Sequence, residues 1–164
     1  MESSSRSCGS CTACCEGWLV VNADTVKSYP GNPCKHVHSG KGCGIYESRP
    51  SNPCRIFYCD WVSDNDGKYP EWMKPNNSKA IVAFEKIPWN GKMLDLVVPV
   101  GSNIPEKTLK WLTNSARKYS RPFIFAEHEV KNGSYTGNWN FKVYAPQPMR
   151  DNILAWLDAG NKLW

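Results

Sequence analysis

Residues 8–15 read Cys8-Gly-Ser-Cys11-Thr-Ala-Cys14-Cys15, and this stretch decides how the first third of the chain folds. Four further cysteines follow it: Cys34, Cys43, Cys54 and Cys59. All eight cysteines of the 164-residue chain therefore lie before residue 60. A cluster this dense and this one-sided has three chemical explanations, which are disulfide bonds, zinc and iron.

Disulfide bonds fit the sequence poorly. The N-terminus, Met1 to Arg6, is polar and no apolar segment typical of a secretory signal follows it, so we expect a cytoplasmic chain with reduced thiols. Adjacent cysteines such as Cys14 and Cys15 do not bridge easily, because disulfides prefer a Cα separation of roughly 5.5 Å. No apolar run approaches the ~18 residues of a membrane span, so we expect no membrane association. These features favour a metal centre.

The spacing of the cysteines favours iron over zinc. Zinc sites commonly use two C-x2-C pairs, whereas four residues separate Cys54 from Cys59. The run Cys8-x2-Cys11-x2-Cys14 is typical of segments that supply three corners of a cubane iron–sulfur cluster, the fourth cysteine coming from elsewhere. Zinc stays open as the alternative metal.

The number of thiols exceeds the need of a single site, since one zinc ion or one four-iron cluster takes four. Either two centres exist or some cysteines are structural, and the neighbours Cys14 and Cys15 are candidates for different roles. We expect ligation by Cys8, Cys11, Cys54 and one of Cys14 or Cys15, which anchor the two halves of the pattern. The full set of candidate metal ligands is Cys8, Cys11, Cys14, Cys15, Cys34, Cys43, Cys54 and Cys59.

Charged residues accompany the cysteines. We interpret Arg49 and Arg55 as cofactor-binding residues that screen the negative charge of a thiolate centre, with ion pairs to Glu47 and Asp60 as the alternative.

The histidines are weaker candidates. His36 and His38 follow Cys34 and could replace a thiolate, although loop histidines are more often simply polar. His128 lies on a predicted strand, and we predict a structural role for it.

A second segment reads Cys43-Gly-Ile-Tyr-Glu-Ser-Arg-Pro-Ser-Asn-Pro-Cys54-Arg-Ile-Phe57. Together with the first run it resembles the CxxCxxCC cysteine-cluster family, described as a zinc- or iron-chelating domain, over residues 8–60. The spacer Ser51-Asn-Pro53 is slightly longer than usual for that family. The resemblance implies metal binding by thiolates, with iron–sulfur chemistry in some relatives. One related group, the flagellin lysine N-methylases, is enzymatic, but the chain has no glycine-rich methyl-donor motif and that activity is not carried over.

Beyond residue 78 the hydrophobic pattern becomes regular and predicts the order ββα-ββα. Asn90-Gly91 and Asn132-Gly133 are hairpin signals, and Ser102 or Asn103 is predicted to cap the first helix, with Pro105 in its first turn. Leu109, Leu112, Ala116 and Tyr119 form the predicted apolar stripe of that helix. The predicted elements are Ala80–Ile87, Met93–Val100, the helix after Pro105, Pro122–Val130, Trp139–Ala145 and a last helix from roughly Pro148 to Ala159.

The predicted fold class is α+β, in which an irregular metal-bound cysteine-rich segment packs on an antiparallel ββα-ββα body. We expect a single domain over residues 1–164, with the cysteine-rich segment at 1–60 and the body at 61–164. The net charge is +5, and no run of basic residues is longer than two. This charge permits nucleic acid as a partner without requiring it.

The leading functional hypothesis is a protein that holds an iron–sulfur cluster, with the four-iron type favoured, for redox chemistry, sensing or assembly with a protein or redox partner. A cluster-dependent enzyme is a second hypothesis, although the sequence offers no acid–base or nucleophile–base pair for it. The third is a zinc-stabilised interaction module for protein or nucleic acid, which would use the basic, Trp-rich C-terminal part.

Overall fold

The cysteine-rich segment folds through short, irregular elements, in a computed structural model that describes residues 6–101 and 103–161, apart from the side chains of residues 84–86. Two small antiparallel hairpins and three helical turns occupy it, followed by two short helices and a further turn. The hairpin strands are β1 (Val21–Asn22) with β2 (Lys27–Ser28) and β3 (Val37–His38) with β4 (Gly42–Cys43). The turns are Cys14–Trp18, Tyr46–Ser48, Ser51–Arg55 and Glu71–Met73, and the helices are α1 (Asp60–Ser63) and α2 (Pro75–Ser78).

A four-stranded sheet with two longer helices follows. The strands lie in chain order across the sheet: β5 (Ala80–Trp89), β6 (Lys92–Pro99), β7 (Phe123–Lys131) and β8 (Ser134–Tyr144). Helix α3 (Glu106–Tyr119) connects β6 to β7, and α4 (Met149–Asp158) follows β8. The mixture of helix and strand confirms the α+β class.

The sheet is not antiparallel throughout, as the sequence predicted. The two outer pairings are antiparallel, but the central pair β6 and β7 is parallel, with Leu96 opposite Ile124. The reason is α3, which carries the chain back along the sheet, and a crossover of this kind is what a parallel pair requires. The outer pairs are instead joined by Asn90-Gly91 and Asn132-Gly133, whose residues all have positive φ and suit tight hairpins.

Helix α3 differs from its prediction in both its start and its buried face. Pro105 occupies the cap position without a side-chain capping bond, so Asn103 is not the cap, while Ser102 lies outside the described residues. Leu112 and Ala116 are buried as expected, but Leu109 and Tyr119 are 39% and 43% exposed. Thr108 completes the buried face. Its hydroxyl donates to the Ser78 carbonyl at 2.7 Å, and the buried face of the helix is formed by Thr108, Leu112 and Ala116.

The core connects the sheet to the cysteine-rich segment. Ile81, Leu94 and Ile124 from the sheet and Ile153 from α4 are at most 1% exposed. Ala13, Cys59, Trp61 and Val62 belong to the same buried cluster. Within residues 6–101 and 103–161, no helix has the length and apolar character needed to cross a membrane.

Arg6 also ties the start of the described chain to the segment before the sheet. Its guanidinium donates to Asp64 Oδ2 at 3.0 Å and to Glu71 Oε1 at 2.8 Å, and it lies 4.8 Å from the Trp61 ring centroid. Burial alone would raise the pKa of Asp64, but hydrogen bonds from the Tyr69 and Lys68 amides and the charge of Arg6 hold that pKa below its usual range.

Candidate metal centre

All eight cysteines line one cavity of about 480 Å³ between the cysteine-rich segment and the sheet. Each of the eight carries a free thiol. The floor of the cavity is apolar and includes Ile81, Leu96 and Val98 of the sheet. Folding therefore brings every cysteine of the chain to one largely apolar cavity.

Backbone hydrogen bonds bring distant cysteines to this cavity. The Cys11 amide donates to the Cys8 carbonyl at 2.9 Å, which bends the first run into a tight turn. The Cys34 amide donates to the Cys15 carbonyl at 2.8 Å and joins two segments that are far apart in sequence. The Val37 amide donates to the Cys34 carbonyl at 3.0 Å.

Gly42 allows the first run to pack closely against β4. Its φ is +111°, and a Cβ atom there would lie 2.5 Å from the Gly9 carbonyl oxygen. Only glycine fits this approach without displacing a neighbour. The contact sets the Cys8–Gly9 turn beside the strand that carries Cys43.

The cysteines fall into two groups of four by packing. Cys59 is a member of the main buried cluster, and the side chains that pack against that cluster include Cys8, Cys11 and Cys14. We name these four the core-side group. The other four are not part of that cluster within the described residues, and we name them the loop-side group: Cys15, Cys34, Cys43 and Cys54.

Neighbouring thiols also raise one another's pKa. Burial raises the pKa of Cys14 well above its usual range, and Cys59 and then Cys15 are the largest contributors after burial. Burial also raises the pKa of Cys15 to about 12, and here Cys34 and Cys43 are the largest contributors after burial.

The pKa values of Cys54 and Cys59 are also raised. For Cys54, whose pKa is raised by burial, the same two residues, Cys34 and Cys43, are the next causes. Burial raises the pKa of Cys59 to about 12, and Cys8 and Cys11 add to it. The two groups also influence each other, since Cys8 raises the pKa of Cys15 and Cys15 raises that of Cys14.

Two cations face the thiols. Arg49 and Lys74 both line the cavity, and their charges oppose the rise that burial causes in the pKa of Cys8. Arg49 also opposes the rise in the pKa of Cys54 and donates to the Cys54 carbonyl at 3.3 Å.

Arg55 has a different place. It lies on the exposed side of the loop, where its guanidinium donates to the Arg49 carbonyl at 2.9 Å and the Glu47 carbonyl at 2.6 Å. Of the two arginines, Arg49 therefore lies at the cavity and Arg55 does not. Lys74 also lies there, although it is outside the cysteine-rich segment and no local pattern in the sequence indicates it.

Tyr46 and His36 complete the polar part of the lining. A hydrogen bond between the Tyr46 hydroxyl and the Cys8 thiol lowers the pKa of that thiol, against the effect of its burial. Of the two candidate histidines, His36 lines the cavity, whereas His38 lies on exposed β3.

His128 connects the sheet to the cysteine run. Its Nε2 lies 2.7 Å from the Trp18 carbonyl oxygen, and its ring centroid lies 3.9 Å from that of Trp139. Burial lowers the pKa of His128, which keeps the imidazole neutral although the Trp18 carbonyl favours the protonated form. The structure places this residue directly behind the turn that holds Cys14 and Cys15.

A smaller cavity of about 280 Å³ lies between α3 and the sheet. Two of the charged groups that line it bind each other: Arg121 donates to Asp95 through Nη2 at 2.8 Å and through Nε at 3.0 Å. The arrangement holds the chain after α3 against β6.

In the part of the chain that the structure describes, no three Cys, His, Asp or Glu side chains are already arranged to hold a metal ion. The donor chemistry nevertheless fits a thiophilic metal, since eight free thiols and few oxygen ligands face the cavity. Binding would have to draw the thiolates together, as occurs where metal binding orders a site.

Comparisons with known proteins give no match. No family model matches the chain, and no curated protein or solved structure is significantly similar to it.

Proposed function

We propose that the chain is a metal-binding protein that holds an iron–sulfur cluster in the cysteine-lined cavity, with the four-iron type favoured. The observation that carries this proposal is the convergence of all eight free thiols on one cavity. The proposal includes membership of the cysteine-cluster family that residues 8–60 resemble.

The core-side group supports a cubane cluster in particular. It combines the closely spaced Cys8, Cys11 and Cys14 with the remote Cys59, which is the ligand pattern that four-iron clusters use. The apolar floor limits solvent access, and this protects a cluster and tunes its potential.

The cations and the thiol pKa values are consistent with a bound metal. Buried thiols with raised pKa values stay protonated at neutral pH unless a cation replaces the protons. A cluster with four thiolates carries negative charge, which Arg49 and Lys74 are placed to offset. The role we propose is redox chemistry, metal sensing or stabilisation of an assembly in the cytoplasm, with a protein or redox partner.

Anaerobic purification tests the proposal. We expect a brown protein with broad absorption near ~400 nm that contains iron and acid-labile sulfide in about equal amounts. Cys11→Ser should lower the metal content, while the matched control Ser10→Ala, at an exposed neighbouring position, should keep the wild-type content. Full metal retention in Cys11→Ser, or a protein that takes up neither iron nor zinc, would contradict the proposal.

Zinc is the alternative occupant, because four thiolates also suit tetrahedral zinc. A colourless anaerobic protein with stoichiometric zinc and no sulfide would indicate a zinc-stabilised interaction module and not an iron–sulfur protein. In that case, retention on heparin that falls steeply with salt would indicate nucleic acid as the partner.

A further inference from the structure

We propose that the cavity holds two separate four-thiolate metal centres, one bound by the core-side group and one by the loop-side group. This inference rests on the proposed metal binding and deepens it, since it assigns every cysteine to one of two sites. The second site would take the same class of ligand as the first, a thiophilic metal ion or an iron–sulfur cluster, through Cys15, Cys34, Cys43 and Cys54.

The chain separates the two groups between Cys14 and Cys15. Cys14 packs against the main buried cluster, in which Cys59 is a member. The backbone of the next residue binds a different segment, since the Cys15 carbonyl accepts the 2.8 Å hydrogen bond from the Cys34 amide. Cys14 and Cys15 therefore contact different parts of the chain.

The loop-side group is assembled by the β3–β4 hairpin and the turn after it. Val37 lies opposite Cys43 in the hairpin, and its amide also binds the Cys34 carbonyl at 3.0 Å, so Cys34 and Cys43 are folded toward each other.

Arg49 holds Cys54, the fourth member of the group, near the other three. Its guanidinium donates both to the Tyr46 carbonyl at 2.7 Å and to the Cys54 carbonyl at 3.3 Å, and this brings Cys54 back to the turn that follows Cys43.

Thiol number also favours two centres. Each group supplies the four thiolates that one zinc ion or one four-iron cluster takes. A single centre at the core-side group would leave four thiols of the same cavity without a role. Because Cys14 and Cys15 are covalent neighbours, with Cα atoms about 3.8 Å apart, two clusters held by them would be close enough for their unpaired electrons to interact.

Single substitutions in each group test this inference. Wild-type protein reconstituted anaerobically with iron and sulfide should hold about eight irons and eight sulfides per chain, and Cys11→Ser and Cys34→Ser should each keep about half. The exposed loop variant Ser48→Ala is the matched control and should keep all of the metal. With zinc as the probe, two ions per chain should fall to one in each cysteine variant.

Electron paramagnetic resonance of the dithionite-reduced protein adds a spectroscopic test for clusters. The wild-type spectrum should be broadened by interaction between two reduced clusters, and the Cys34→Ser spectrum should be that of one isolated cluster. Alkylation of the intact wild type, mapped by mass spectrometry, needs no variant to fold. All eight thiols should be protected when the metal is bound and reactive after its removal.

The outcomes separate the two proposals. If wild-type protein binds only about four irons or one zinc ion, and four thiols stay reactive, the two-centre inference is wrong while the metal-binding proposal stands. The same holds if either substitution removes all of the metal while amide hydrogen exchange shows that strands β5–β8 keep the protection of the wild type. If the wild type binds no metal, the metal-binding proposal itself fails.

Discussion

At the scale of single residues, the cavity depends on a small number of charged and polar side chains that differ in what they contact. Arg49 and Arg55 lie six residues apart in the same loop, yet only Arg49 faces the thiols. Burial raises the pKa of Cys8 and Cys54, and the charge of Arg49 opposes that rise in both. The pair therefore offers a direct comparison between a charge near the proposed centre and a charge outside it.

Arg49→Gln should weaken metal retention and shift the reduction potential of a bound cluster to a more negative value, because a positive charge near the thiolates is lost. We expect loss of metal to a chelator to be about tenfold faster, equivalent to roughly 1.4 kcal/mol. Arg55→Gln is the matched control and should stay close to wild type. Equal effects of both substitutions would show that Arg49 acts only by holding the loop.

His128 gives the fold a pH dependence. Burial lowers its pKa, so the unfolded chain binds a proton more readily than the folded chain does. The neutral imidazole of His128 therefore stabilises the fold above its pKa in the unfolded chain, near 6.5. This stabilisation is lost as the pH falls through the lower pKa that His128 has in the folded chain. His128→Gln should make the free energy of unfolding less steeply dependent on pH between about 7 and 5, as measured by urea denaturation.

His38→Gln is the control for this measurement, because it removes a histidine on exposed β3 and leaves the contact with Trp18 in place. Its pH slope should match that of the wild type. Bound metal contributes to the slope of every protein in the set, so the difference between variants isolates His128. An unchanged slope in His128→Gln would show that His128 does not cause this pH dependence of stability.

At the scale of elements, the cysteine-rich segment is built from pieces too short to be stable alone. Hairpins of two-residue strands depend on neighbouring segments for their position, as isolated hairpins are marginal even when longer. The approach of Gly42 to Gly9 is one of the contacts that supply this position. It connects the turn at Cys8 and Gly9, in the core-side group, to β4, which carries Cys43 of the loop-side group.

Gly42→Ala should disrupt this contact, because the new Cβ would lie 2.5 Å from the Gly9 carbonyl oxygen. Gly40→Ala is a matched control in the same hairpin: its φ is also positive, but no atom lies within 4 Å of the added carbon. The control should lose only about 1–2 kcal/mol from backbone strain. Gly42→Ala should lose more than that and also lose metal, measured by denaturation and metal analysis. Similar losses in the two variants would mean that the close approach has no role.

At the scale of the whole molecule, the sheet and its helices bury an apolar core. Ile81, Leu94, Ile124 and Ile153 are almost completely inaccessible. The cysteine-rich segment joins this core through Ala13 and Cys59. Its hairpins lie over the cavity and have little apolar surface of their own, so their order depends on what the cavity holds.

Metal removal should therefore raise amide hydrogen exchange chiefly in residues 8–60, and strands β5–β8 should keep most of their protection. Exchange measured by mass spectrometry on metal-loaded and chelator-treated protein checks this. The matched control is chelator treatment followed by reconstitution, which should restore the original protection. A uniform rise across both regions would show that the sheet also depends on the metal.

The sequence by itself determined features that act over a few residues. The spacing of Cys8, Cys11 and Cys14, the Asn-Gly hairpin turns and the alternation of apolar residues all work through covalent geometry and neighbouring contacts. These features were enough for the α+β class and for the expectation of a thiolate centre. They could not show that Cys59, and not Cys54, packs together with Cys8, Cys11 and Cys14.

Only the tertiary structure decided the arrangement of these parts. The parallel pairing of β6 with β7, the burial of Thr108 against Ser78 and the position of Lys74 at the cavity all depend on contacts between distant segments. The division of the eight cysteines is of the same kind, because it follows from hydrogen bonds such as the one from Cys34 to Cys15 and from packing against the sheet. A local pattern shows which residues can bind a metal, but the long-range approach of the chain decides which of them meet.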